Sequence, residues 1–190
     1  LKVEKYNIKR SDAQNKKRCN TYFCREASNN MGRNLILDSE LLNTTEHLNM
    51  RDIPYSKIYI PNPFVYSKIK QKNKQVQVHN CLLGEFLNDT HISFNNAWFD
   101  YMCTLDGNAT IKPIEDIEYY FKHQIHSTGA FAVTFSYRKR TATKFLHEDL
   151  SRTNALISHT AYKYGYTPIF CIHQIYKGMY FVLYKIIQNK

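Results

Sequence analysis

The sequence predicts an α/β fold with a mostly parallel sheet that closes on an antiparallel hairpin. Three observations carry this. Between Asn34 and Ser136, five short apolar runs are separated by stretches of helical periodicity, the alternation expected of βαβ units. A long one-sided apolar stripe follows the fifth run. The chain then ends on two apolar segments joined by Tyr176-Lys177-Gly178, which reads as a hairpin.

Taken in order, Asn34-Leu-Ile-Leu-Asp38 is a buried-strand candidate, with a short helix expected near Thr44–Met50. Lys57-Ile-Tyr-Ile-Pro61 is a second strand, followed by helix from Phe64 to about Asn73. Val76-Gln-Val-His79 is a third, with a helix over Leu82–Leu87, and Ala97-Trp-Phe-Asp-Tyr101 is a fourth. Pro113 sits where a helix can begin, and Ile114, Ile117 and Phe121 recur at helical spacing. Ala130–Ser136 is the clearest strand. After it, Leu146, Leu150, Thr153, Ile157 and Ala161 trace one face of a long helix that Gly165 can stop. Ile169–Ile175 and Met179–Ile187 form the closing hairpin.

A chain of 190 residues with 43% hydrophobic content can bury a core, which excludes a disordered tail. No apolar run reaches the length of a membrane span. The expected organisation is a basic, partly helical lead-in over residues 1–33 and one domain over 34–190. Of the five cysteines, Cys81, Cys103 and Cys171 lie in or beside apolar runs and are expected to act as small core residues. That cysteine usage points to an intracellular compartment, cytoplasmic or nuclear. The formal charge of +10 suits a polyanionic partner such as nucleic acid. No zinc, Walker or nucleophile-elbow motif occurs, and the histidines lack metal-ligand spacing.

Five motifs stand at the ends of the expected strands: Leu35-Ile-Leu-Asp38, Tyr59-Ile-Pro-Asn62-Pro63, His79-Asn-Cys-Leu-Leu83, Trp98-Phe-Asp-Tyr-Met-Cys-Thr104 and Phe131-Ala-Val-Thr-Phe-Ser136. In this order, from Asn34 to Ile187, they resemble the class I S-adenosylmethionine-dependent methyltransferases. The resemblance implies a Rossmann-like three-layer sandwich with a seven-stranded sheet whose last strand is antiparallel, and S-adenosylmethionine as cofactor. The fourth motif resembles that of amine-directed nucleic-acid methyltransferases, the tRNA guanine dimethyltransferases among them. Three departures stand out. No glycine-rich turn follows Asp38, Asn62 replaces the usual ribose-binding carboxylate, and Tyr101 and Met102 stand where prolines are frequent.

The resemblance implies cofactor contacts at Asp38, Ser39, Glu40, Asn62, Asn80 and Cys81. Asp38 has a second reading, as a cap on the following helix. Asp100 is the candidate acceptor for a target amine and Tyr101 the candidate stacking partner for a base. Alternatively, Asp100 only binds cofactor and Tyr101 is core. Arg138, Lys139 and Arg140 precede a helix and could hold phosphate, with Lys70 and Lys72 as a further basic track. The expected activity is methyl transfer to an RNA or DNA amine. The alternative is a catalytically inactive subunit of the same fold that binds nucleic acid or a protein partner, and self-association is left open.

Overall fold

The computed structural model describes residues 12–137, 142–176 and 178–189. Seven strands form one sheet: β1 (Asn34–Ile36), β2 (Ile58–Pro61), β3 (Gln77–His79), β4 (Asn96–Asp100), β5 (Gly129–Ser136), β6 (Tyr166–Tyr176) and β7 (Met179–Gln188). Their order is β3-β2-β1-β4-β5-β7-β6, with β1 to β5 parallel and β7 antiparallel between β5 and β6. The terminal hairpin thus inserts the one antiparallel strand into the sheet. Among the described residues six α-helices cover it: α1 (Asp12–Ser28), α2 (Asn43–Asn49), α3 (Tyr66–Lys72), α4 (Leu83–Asp89), α5 (Pro113–Tyr119) and α6 (Ala142–Lys163).

Strand alternation divides the core into two layers. Leu35, Phe99, Phe131, Val133, Tyr180 and Val182 pack with α4, α5 and α6 on one face. Ile36, Trp98, Ala130, Ala132, Phe181 and Leu183 pack with α1, α2 and α3 on the other. All five stripe residues of α6 are buried, and the helix ends at Gly165 in the left-handed region, φ 84°. The chain has the three-layer α/β architecture that its alternating apolar runs predict.

The lead-in does more than precede the domain. Cys19, Phe23, Cys24 and Ala27 of α1 are buried against Trp98 and its neighbours. The cysteine expectation is corrected accordingly. Cys171 is exposed and Cys81 and Cys103 are only half-buried, while Cys19 and Cys24 are the core thiols. Cys171 lies on the edge strand β6, at the register shift between Phe170 and Ile172. Burial pushes the Cys19 and Cys24 thiols up to about 12, so both stay protonated and inert.

Candidate active site

A pocket of about 820 Å³ opens at the carboxyl ends of β1, β2 and β4. This is where the strand order reverses, between β1 and β4, the usual ligand site of an open parallel sheet. Its walls are residues 37–39 after β1, 61–65 after β2, 82–85 and Asn88 at α4, 100–102 after β4, and 109–112 leading into α5. Glu115, Asp116 and Tyr119 of α5 complete the lining.

Asp38 is 6% exposed and its carboxylate is engaged by its own loop. Oδ1 accepts from the Ser39 amide at 2.9 Å, and Oδ2 accepts from the Thr45 amide and hydroxyl, both at 2.9 Å. Asp38 thus accepts from the first turn of α2, whose N-cap residue, Leu42, makes no side-chain cap bond. Burial raises the Asp38 carboxyl above its ordinary value, against the pull of those donors, and nearby Asp100 raises it further. Where glycines are lacking, Leu42 takes the left-handed conformation (φ 57°) to turn the chain into α2. Asn62 supports this loop too: its Nδ2 donates to the Asp38 carbonyl at 3.2 Å while its Oδ1 accepts from the Phe64 amide at 3.1 Å.

Asp38, Ser39, Asn62, Asp100 and Tyr101 all line the pocket, so the structure brings these five together. It does not bring in Glu40, Asn80 or Cys81. Glu40 pairs with Lys68 outside the pocket. Lys72 donates to the Leu41 carbonyl at 3.0 Å, so it too ties down the loop after β1. Lys70 is half-buried on α3. Arg138, Lys139 and Arg140 lie outside the described residues.

Tyr101 is 3% exposed; its ring stacks on Phe135 at 5.4 Å and its hydroxyl donates to Asp116 Oδ2 at 2.8 Å. Asp116 was not expected from the sequence. Burial pushes its carboxyl up to about 6. Gly84 makes room for it, since a Cβ there would stand 2.7 Å from Asp116 Oδ1. The one available signal was the Pro113 helix start, which places Asp116 in the first turn of α5.

Asp100 shares the face of Trp98 and meets α1. Its Oδ2 forms an ion pair with Lys16, whereas Oδ1 is buried and has no hydrogen-bond partner among the described residues. Lys16 also donates to the Tyr176 hydroxyl at 3.1 Å. Burial works against the Lys16 charge, but Asp100 and Tyr176 overcome it and raise the ammonium above its ordinary value. Sequence reading missed Lys16 because nothing local marks one lysine of a basic segment.

No protein-family model matches the sequence, and no curated protein is similar to it in sequence. Solved structures are similar in fold. The N-methyltransferase NodS from Bradyrhizobium japonicum, in complex with S-adenosyl-L-homocysteine, superposes with a TM-score of 0.62 at 10% identity, over 95% of this chain and 90% of that one. Trm1 from Pyrococcus horikoshii, in complex with S-adenosyl-L-methionine, gives 0.60 at 11% identity, over 98% of this chain but only 59% of its own length. The Methanococcus jannaschii pre-rRNA processing protein fibrillarin gives 0.59 at 12% identity, over 84% of this chain and 67% of that one. With the strand order 3-2-1-4-5-7-6 and a pocket at its switch point, the chain has the class I methyltransferase fold.

Proposed function

We propose that the chain is an S-adenosylmethionine-dependent methyltransferase acting on an amine of nucleic acid. The observation that carries it is a pocket of about 820 Å³ at the sheet's switch point whose lining includes Asp100, a carboxylate with one buried oxygen that has no hydrogen-bond partner among the described residues. The pocket is within the usual size range for cofactor sites. Its residues fit the cofactor: an apolar cleft between 61–65 and 82–85 suits a purine, and Asp38, Ser39 and Asn62 line the segment toward β1. Bound there, the cofactor supplies an electrophilic methyl group. The Asp100 carboxylate accepts an N–H of the acceptor amine, orienting the nitrogen lone pair and drawing its proton. Tyr101 shapes the wall beside it through its bond to Asp116.

Nucleic acid is supported as the acceptor by the net charge of +10 and by the fold likeness to a pre-rRNA processing protein. In this reading Lys70, Lys72 and Arg138–Arg140 contribute phosphate contacts.

A second reading is favoured by the loop after β1. With three donors on the Asp38 carboxylate and no glycine in the turn, the chain could keep the fold as a non-catalytic subunit. Calorimetric titration with S-adenosylhomocysteine separates the two. Saturable one-site binding supports the transferase and justifies acceptor screening with RNA and DNA. A folded chain that gives no heat overturns it in favour of the subunit.

A further inference from the structure

Lys16 occupies a box built from three elements. Its ammonium stands 4.9 Å from the Trp98 ring centroid and 5.3 Å from that of Tyr176, and it forms an ion pair with Asp100. Two aromatic faces and a carboxylate around one ammonium are the elements by which proteins recognise alkylammonium ligands. The Trp98 wall is fixed independently of the lysine. Trp98 is 1% exposed and its indole N–H donates to Thr134 Oγ1 at 2.9 Å, while Tyr176 is 7% exposed at the end of β6. The Lys16 side chain keeps 32% of its surface exposed, so part of the lysine's own path reaches solvent. Rings this deeply buried leave no room for a planar base, and what fits is a slender aliphatic chain carrying a cation.

We propose that Trp98, Tyr176 and Asp100 form a binding site for a primary alkylammonium group, and that Lys16 of α1 is its built-in occupant, which an external lysine side chain or polyamine displaces. The site adjoins the pocket through Asp100, whose Oδ2 faces the box and whose Oδ1 has no hydrogen-bond partner among the described residues. It goes beyond the proposed methyl transfer and does not depend on it. Because Lys16 is tethered, its effective concentration is on the order of millimolar or higher. An external cation must therefore compete at that level, or enter freely once Lys16 is shortened.

Trp98 is the only tryptophan of the chain, so its fluorescence reports the box directly. The experiment titrates n-propylammonium, and separately the neutral isostere n-propanol, into the wild-type chain and Lys16→Ala. Circular dichroism confirms that each is folded. The expected result is a saturable change in Lys16→Ala, with an apparent Kd at least ten-fold below that of wild type, no response to propanol, and loss of the response in Lys16→Ala/Asp100→Asn. N-acetyl-lysine methylamide and spermidine then distinguish the two sources, the tighter binder being the class the site serves. No saturable change in folded Lys16→Ala, or an equal response to propanol, overturns the site. If that variant does not fold, wild type carries the test: spermidine and the lysine derivative, taken to about 50 mM at constant ionic strength, must shift Trp98 emission. Absence of that shift overturns the proposal. S-adenosylhomocysteine binding, measured on the same samples, reports on the methyltransferase reading separately.

Discussion

The hydroxyl of Tyr101, at the end of β4, donates a 2.8 Å hydrogen bond to Asp116 Oδ2 in the first turn of α5. This bond joins two walls of the pocket. Burial raises the Asp116 carboxyl from 3.8 to about 6, so between those values the folded chain holds a proton that the unfolded chain has released. Stability therefore falls as pH rises from about 4 to about 6 and levels off above that. Asp116→Asn keeps an acceptor for Tyr101 and removes the titration. Chemical denaturation across this window should show wild type losing up to about 3 kcal/mol relative to the variant. Parallel curves would show that Asp116 ionises freely.

At the opposite end of the sheet, a Cβ on Gly129 would stand inside contact distance of the Asn95 main-chain carbonyl. A backbone atom cannot rotate away, so Gly129→Ala should cost about 3 kcal/mol. Gly165, with φ 84° and nothing within 4 Å of a built Cβ, carries only conformational strain. Gly165→Ala should lose about 1 kcal/mol. Thermal melts of the two variants should differ clearly, and equal shifts would contradict the packing at Asn95.

Ala109 lines the pocket and is exposed. Ala109→Trp should block the cavity without touching the core. Its affinity for S-adenosylhomocysteine should drop at least ten-fold while its melting temperature stays within a few degrees of wild type. Unchanged affinity in a stable variant would place the ligand elsewhere.

Nucleic-acid binding through phosphates makes affinity fall with salt, by about 0.7 in log K per neutralised phosphate on a single strand. Replacing Arg138, Lys139 and Arg140 together by Ser should flatten that slope by about 2 for single-stranded RNA. An unaltered slope would remove these residues from the interface.

Thiol accessibility gives an independent check of the fold. Cys171 should react first with a disulfide reagent, and Cys19 and Cys24 only on unfolding. Early modification of Cys19 or Cys24 would mean that α1 does not stay docked on the sheet.

The element order and the two faces of the sheet were legible in the sequence. On β5, Phe131, Val133 and Phe135 alternate with Ala130 and Ala132 between two buried faces, and the α6 stripe from Leu146 to Ala161 encodes the side of the helix that faces inward. Strand-end motifs placed Asp38, Asn62, Asp100 and Tyr101 on the pocket wall for the same reason, because ligands collect at carboxyl ends in this topology. Which groups then meet was decided only by the tertiary structure. Lys16 and Asp100 are 84 positions apart, Tyr101 and Asp116 are 15, and Asp38 turns back on Thr45 within its own loop. Periodicity records the direction of a side chain relative to its own strand or helix. It carries no record of the partner that a loop or a distant helix brings to it, and on edge strand β6 an apolar run leaves Cys171 exposed at the register shift between Phe170 and Ile172.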